Sequence, residues 1–462
     1  MKILSKNIAI ALCVVNLHTV SAKKKQPNII FILADDMGIG DIGCYGQKKI
    51  RTPHLDALAA SGIQFMQHYS GSTVSAPSRC ALMTGKHMGH AAIRGNGGSR
   101  VEDPNEDTSL PAEEITVAEV LKEKGYVTAC VGKWGLGGAR TNGSPVNQGF
   151  DYFFGYLNQG AAHRYYPEYL YENEKKYPLN GQYSHYVIMQ KGLEFIDKNA
   201  DKPFFAYFAV TPPHADLDIP DLGQYNNAFA EKPHINPNPL KGYKTQLQPK
   251  AAYAAMVSEV DKNIGQIIAL LKEKGVYENT IIIFSSDNGV HQVGGNDPAF
   301  FDSNGPFRGY KRDLYEGGIR VPFIVLWQDK IKSPRFSFHV SAFWDFLPTV
   351  CDIVGIDTPA GTDGISYLPE LLNDTVSQKK HTGIYYEFFE QGGKQSFARA
   401  DGWKLIRLQV NNPEKTYEEL YNLKYDPSEC ANVIQQFPDI ADALRKEMDN
   451  QRTENSYYKF TK

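Results

Sequence analysis

"NIIFILADD", Asn28–Asp36, is an unbroken apolar run that ends abruptly on two carboxylates. Apolar residues without alternation read as a strand buried on both faces, the kind found in parallel sheets covered by helices. "TIIIFSSDNG", Thr280–Gly289, has the same form and ends on Asp287 and Asn288. Working outward, strands are expected at Asn28–Leu33, Tyr126–Val131, Phe204–Val210, Thr280–Ser285 and Ile319–Leu326. Helical patterns alternate with them. The clearest is Tyr253–Lys274, which sets Met256, Val260, Ile264, Ile267, Ile268 and Leu271 on one stripe and stops at Gly275; Ile115–Lys124 likewise stops at Gly125. This alternation predicts an α/β fold with a mostly parallel sheet flanked by helices. Pro, Gly, Asp and Asn cluster over Pro359–Thr375 and mark a boundary. Beyond it, strands at Thr382–Glu387 and Trp403–Leu408 and a helix at Pro438–Arg452 predict a small C-terminal α+β subdomain with an antiparallel sheet.

The chain has 462 residues, enough for one large domain and a smaller one. With 42% hydrophobic residues, 22% charged residues and a net charge of −3, nothing calls for nucleic acid or a membrane surface as partner. Lys2 and Lys6 precede the apolar run Ile8–Val15, and Val20, Ser21 and Ala22 form a small-residue cleavage site. Residues 1–22 therefore read as a cleaved secretory signal, too short in its apolar part to span a bilayer, and the mature protein is expected to be periplasmic or secreted. The expected division is 1–22 signal, 23–370 main catalytic domain and 371–462 C-terminal subdomain. Cys44, Cys80, Cys130, Cys351 and Cys430 remain after cleavage. An odd, scattered set predicts buried thiols with at most a pair or two bridged.

Ligands of open α/β sheets bind beyond the carboxyl ends of the strands, so the residues just after each strand carry the chemistry. Those residues here are Asp35 and Asp36, Asp287 and Asn288, Lys133 after "YVTACVGK", and His214 after "FFAYFAVTPP", with Lys311 in a Gly-rich loop before the last strand. Taken singly, each acidic pair is a turn or cap, each lysine a solvated loop residue, and the histidine a satisfied loop residue. Together, three carboxylates at one rim repel one another unless a cation lies between them. A donor set of carboxylates and an amide suits Ca²⁺ or Mg²⁺, whereas zinc wants His or Cys.

"VSAPSRCALMTGKHMGH", Val74–His90, starts a helix near Pro77 and stops it at Gly85. Ser75 then stands at the helix mouth, where free N–H groups and the positive dipole end favour an anion, with Arg79 one turn on. From this stretch alone, capping is the commoner role for such a serine.

"SAPSRCALMTGK" resembles the signature of the type I sulfatases, in which a Cys or Ser two residues before Pro-Ser-Arg becomes Cα-formylglycine. "ILADDMGIGDIGCYG", "VGKWGLG", "TPPH", "SSDNG", "GPFRGYKRDLYEGGIRVP", "WKLI" and "ELYNLKYDPSE" are similar to the other blocks of that family in order and spacing, over nearly the whole mature chain. The resemblance implies an alkaline-phosphatase-like fold and a sulfuric ester hydrolase acting on a sulfated carbohydrate. It implies Ca²⁺ in preference to Mg²⁺, ligated by Asp35, Asp36, Asp287, Asn288 and the modified Ser75. Ser75, oxidised and hydrated to a gem-diol, would attack sulfur near Arg79, and its second oxygen would let the adduct collapse to aldehyde and sulfate. Lys133 and Lys311 would hold sulfate oxygens and His214 would protonate the leaving oxygen. Serine at this position implies an anaerobic sulfatase-maturating enzyme as partner.

Gly135 departs from the pattern, since the family usually reads Gly-Lys-Trp-His there. His87, His90 and His163 are the candidates for the missing base. His163, Arg164 and His291 are the candidate sugar contacts. The competing readings are a phosphodiesterase or phosphonate hydrolase of the same superfamily, and a sulfated-glycan-binding protein in which Ser75 is never matured.

Overall fold

The computed structural model describes residues 26–97, 108–238, 241–332 and 334–460; the expected signal, 1–22, lies outside the described residues. Ten strands form the main sheet: β1 (Asn28–Ala34), β2 (Ile63–Phe65), β4 (Val127–Lys133), β5 (Tyr152–Tyr156), β6 (Tyr169–Glu172), β7 (Lys175–Pro178), β8 (Phe204–Ala209), β9 (Thr280–Ser286), β10 (Phe323–Trp327) and β11 (Arg335–Ser337). Their spatial order is β11-β2-β10-β9-β1-β8-β4-β5-β6-β7. β3 (His68–Tyr69) and β12 (Ser341–Ala342) pair separately. The centre of the sheet, from β9 through β1 and β8 to β5, is parallel, and β10 joins it antiparallel.

β1 is buried along its whole length because helices cover both faces. Ile29, Phe31 and Leu33 enter one apolar cluster, with α2 (Ser75–Thr84) and α3 (Val117–Glu123). Ile30, Ile32 and Ala34 enter the other, with α1 (Pro53–Ser61), α4 (Ser184–Asn199) and α5 (Pro249–Glu273). The period-two alternation of strand side chains thus feeds both layers of a helix–sheet–helix sandwich.

Most expected elements lie within a few residues of their predicted ends, and the differences have local causes. α3 starts at Val117 because Thr116 caps it, its hydroxyl accepting from the Glu119 N–H while the Glu119 carboxylate accepts from the Thr116 N–H. The strand expected from Ile319 begins only at Phe323. Glu316–Ile319 forms a helical turn instead, in which a Cβ on Gly318 would lie 2.1 Å from the Asp313 carbonyl oxygen. No disulfide bridges any of Cys44, Cys80, Cys130, Cys351 and Cys430.

A second, four-stranded antiparallel sheet follows: β13 (Gly383–Phe388), β14 (Lys394–Arg399), β15 (Trp403–Leu408) and β16 (Tyr417–Asn422), backed by the helix Pro438–Asp449. A buried ionic knot ties it to the main sheet. Lys404 Nζ on β15 lies 2.9 Å from Glu316 and 2.8 Å from Glu429. Glu316 also accepts from Tyr69 at 2.8 Å and Arg320 at 3.2 Å. Burial pushes the Glu429 carboxyl up to about 7 against the pull of Lys404.

Removing one partner of a buried ion cluster strands the others. Lys404→Met should therefore lower unfolding free energy by about 3–5 kcal/mol in urea titration. Arg399→Ala, which breaks surface pairs with Asp401 and Glu447, should cost under about 1 kcal/mol. Equal losses in the two variants would contradict the assignment of the knot.

Candidate active site

The parallel register brings the candidate residues to one height. Ala34 pairs with Ser286, so Asp35 and Asp287 leave adjacent strands side by side. Leu33 and Gly132 both pair with Ala209, which brings Lys133 to the same rim. The two acidic ends are laced together: Asp287 N–H donates to the Ala34 carbonyl at 3.0 Å, Asp36 N–H to Asp287 Oδ1 at 3.0 Å, and Met37 N–H to Ser286 Oγ at 2.8 Å. Asp36 has φ +65°, in the left-handed region that Asp and Asn enter more readily than other non-glycine residues.

Ser75 is the first residue of α2 and Val74 its N-cap, so the hydroxyl of Ser75 does not cap the helix. It donates instead to Asp35 Oδ1 at 3.2 Å and accepts from Lys133 Nζ at 3.1 Å. Ser78 Oγ donates to the Asp287 carbonyl oxygen and accepts from Gly71 N–H, which pins the helix mouth against the rim. The helix closes at Gly85, φ +70°, whose N–H returns to the Ala81 carbonyl.

Three cations face the three carboxylates. Lys133 Nζ lies 2.6 Å from Asp35, Lys311 Nζ 2.7 Å from Asp36, and Arg79 Nη2 2.9 Å from Asp287 and 3.6 Å from Asp35. Arg79 is fully buried, and its Nη1 donates to the Lys133 carbonyl at 2.9 Å. Burial opposes ionisation of every member, but the cations hold Asp35 and Asp36 below the usual carboxylate range. Asp287 goes the other way: burial, with Asp35 adding to it, pushes its carboxyl up to about 6.

His214 lies behind this cluster. Its Nδ1–H donates to the Ala215 carbonyl, and Nε2 faces Lys311 Nζ at 3.2 Å and Asp36 Oδ2 at 3.3 Å. Burial, then Lys311, drives its pKa well below the ordinary histidine value. Nε2 is thus the ring nitrogen turned to the rim, where it accepts from the Lys311 ammonium.

The donor chemistry fits an oxygen-seeking divalent cation. Asp35, Asp36 and Asp287 supply carboxylate oxygens. Asn288 Nδ2 is spent on Asp36 Oδ1 at 2.7 Å, whereas its buried Oδ1 has no hydrogen-bond partner among the described residues. An orphaned buried acceptor beside three carboxylates is what a hard cation satisfies. Ligand atoms of Asp35, Asp36 and His214 also lie within 4.8 Å of one another, but the ammonium of Lys311 already occupies the His214 Nε2 direction.

The three candidate sugar contacts separate. His163 stacks on His214 with ring centroids 4.3 Å apart and is partly exposed at the rim. Burial, with Lys133 next, lowers its pKa to about 3, so it is neutral. Arg164 gives Nη1 to Asp216 at 2.7 Å and Nη2 to the Gly242 carbonyl at 3.0 Å. His291 is buried with both ring nitrogens engaged, by the Pro213 carbonyl and the Val293 N–H. Tyr243, which no sequence motif marks, comes within 6.1 Å of His163 and 6.4 Å of His214 between ring centroids.

Of the candidate bases, His87 and His90 pair with Asp363, beyond the carboxyl end of α2. α2 has ten residues, about 14 Å of rise, so they stand far from Ser75. His87 Nδ1 accepts from Gly89 N–H, which puts the proton of the neutral ring on Nε2 and withdraws that nitrogen as a metal ligand. Gly135 has φ +73°, and a Cβ there would lie 1.8 Å from Gln159 Nε2. The loop after β5 therefore fills with the Gln159 carboxamide, bonded to the Gly135 carbonyl at 3.3 Å, the space next to Gly135. No sequence spacing links Gln159 to Gly135.

A sulfatase family profile matches residues 27–356, and a profile for the C-terminal part of N-sulphoglucosamine sulphohydrolase matches residues 305–454. The chain is 31% identical to N-acetylgalactosamine-6-sulfatase of Canis lupus familiaris over 77% of its own length and 68% of that protein. It is 28% identical to N-acetylgalactosamine-6-O-sulfatase of Bacteroides thetaiotaomicron over 93% of its own length and 94% of that protein. Its fold superposes on the crystal structure of Ps i-CgsB in complex with k-i-k-neocarrahexaose with a TM-score of 0.78, at 27% identity and with 94% and 95% of the two chains covered. Strand-end carboxylates, helix-mouth serine and profile together establish that this chain belongs to the sulfatase family.

Proposed function

We propose that the protein removes O-sulfate from a glycan, with residue 75 converted to Cα-formylglycine and Ca²⁺ held by Asp35, Asp36, Asp287, Asn288 and residue 75. The observation that carries this reading is the setting of the Ser75 hydroxyl, within 3.2 Å of Asp35 and 3.1 Å of Lys133 at the mouth of a buried helix. The hydrated aldehyde would supply an oxygen nucleophile and a second hydroxyl for sulfate release, and a cation held by these residues would supply positive charge beside them. Arg79 holds Asp287 and Asp35 in place beneath residue 75. Lys133 and Lys311 turn from the carboxylates to the sulfate oxygens when the ester enters, stabilising charge that develops there. His214, neutral and with its Nδ1–H fixed on the Ala215 carbonyl, takes a proton at Nε2 from the Lys311 ammonium 3.2 Å away and passes it to the departing alcohol. His163 walls the sugar side of His214.

The catalytic part is taken as residues 23–370 and the C-terminal subdomain as 371–462. The leader 1–22 directs export to the periplasm or outside the cell; among the described residues no helix is long and apolar enough to cross a membrane. Maturation by an anaerobic sulfatase-maturating enzyme follows from serine at position 75.

Protein co-expressed with that enzyme should lose two hydrogens from the peptide bearing residue 75 and hydrolyse a member of a panel of sulfated mono- and oligosaccharides, 6-O-sulfated N-acetylgalactosamine first. Full turnover with intact Ser75 would refute the maturation step. Binding of the panel without turnover after maturation would favour a glycan-binding protein, and turnover of phosphonate or phosphodiester esters alone a different hydrolase.

Chelation should abolish turnover and added Ca²⁺ restore it, and Ca²⁺ should raise the thermal midpoint of the chelated protein. In Asp287→Asn that rise should vanish. A midpoint equally Ca²⁺-sensitive in the variant would remove Asp287 from the ligand set.

His214→Ala should lower kcat on sugar sulfates about 10²–10⁴-fold, the usual scale of general acid catalysis. The loss should shrink on aryl sulfates whose phenol leaves without help. An identical loss on both substrates would exclude His214 as the proton donor.

A further inference from the structure

A groove of about 640 Å³ lies between the edge strand β11, the segment Glu370–Gly383 and the turns of the C-terminal sheet. Its walls carry five lysine and arginine side chains, Arg320, Arg335, Lys380, Arg399 and Lys424, against one carboxylate, Glu370. Glu370 is itself nearly buried and accepts the Ser337 hydroxyl at 2.8 Å. Arg320 is neutralised by Glu316, and Arg399 by Asp401 and Glu447. Arg335 donates to the Glu370 main-chain carbonyl, which carries no formal charge. Among the described residues no acidic group pairs with Lys380 or Lys424, so the groove keeps a net positive charge.

Two aromatic faces stand in the same wall. Phe336 and Phe338 are 64% and 70% exposed, on and just after the strand that ends the main sheet. Large aromatics left bare beside unpaired cations suit a ligand with apolar ring faces and anionic substituents together. A sulfated sugar chain has both.

Topology sets the groove on the same rim as Ser75. β10 is antiparallel to β9, β2 is antiparallel to β10, and β11 is parallel to β2. β11 therefore runs with β9, and its carboxyl end opens beside the end that carries Asp287. Three strand spacings separate β9 from β11, about 14 Å at the usual interstrand distance.

We propose that this groove is a second glycan-binding site, which holds a sulfated stretch of polysaccharide while another part of the chain is processed at residue 75. The proposal rests on the glycan reading above for its choice of ligand, but its test reads binding and needs no turnover. In a Ser75→Ala background, the chain and its Lys380→Glu/Lys424→Glu derivative are run on affinity gels containing chondroitin sulfate, heparin or ι-carrageenan, each beside its desulfated form. The expected result is retention by at least one sulfated polymer, absent from the desulfated gel, weakened by salt and at least fivefold weaker in the Lys380→Glu/Lys424→Glu derivative. A Phe336→Ser/Phe338→Ser derivative should weaken it too, with thermal midpoints confirming that both derivatives are folded. Equal retention of parent and derivatives, no retention on any sulfated gel, or a dimer in sedimentation closed through β11 would overturn the proposal. Failure of sulfate release by matured protein, with these retention differences intact, would count against the proposed function and leave the groove standing.

Discussion

Three carboxylates buried at the ends of two adjacent parallel strands are the constraint on which the rest of this structure depends. Asp35, Asp36 and Asp287 are each fully buried, and an isolated charge removed from water is among the costliest things a fold can contain. The molecule meets that cost by bringing Arg79, Lys133 and Lys311 from three other segments into direct contact with them. The helix mouth, the strand register and the Gly-rich loop before β10 all serve this convergence. What the cluster lacks is a partner for Asn288 Oδ1, and a hard divalent cation is the kind of partner that an amide oxygen beside carboxylates accepts.

The same arrangement explains why an ordinary serine is placed where it is. A hydroxyl at the start of a helix usually turns back to cap it. Ser75 is held away from its own helix by Asp35 and Lys133. Ser78 supplies the neighbouring bond to the Asp287 carbonyl, so the geometry of residue 75 is set by the rim and not by helix propensity. The positions of Asp35, Asp287 and residue 75 are therefore set by the protein's own contacts before any ligand arrives.

The strands and the strand-end groups were legible in the sequence because burial on both faces leaves a continuous apolar run, and a carboxylate at its end breaks that run conspicuously. Helix α5 was legible through its stripe and its glycine stop. The helical turn Glu316–Ile319 was not, since glycines chosen for close backbone approach carry no periodicity. Arg164 and His291 are polar residues near binding motifs in the sequence, but the fold engages them with Asp216 and with Pro213 and Val293, contacts that no spacing announces. Gln159 and Tyr243 reach the site or its border from loops, where no spacing rule connects them to Lys133 or His214. The ionic knot around Lys404 likewise joins residues far apart in the chain that no local pattern links.

The most direct test of the account is a crystal structure of matured protein grown with Ca²⁺ and inorganic sulfate. The expected result is a cation about 2.3–2.6 Å from oxygens of Asp35, Asp36, Asp287, Asn288 and residue 75, with the ammonium groups of Lys133 and Lys311 moved onto the sulfate. A matured site in which Lys133 and Lys311 still clasp Asp35 and Asp36, with no cation among the aspartates, would contradict it.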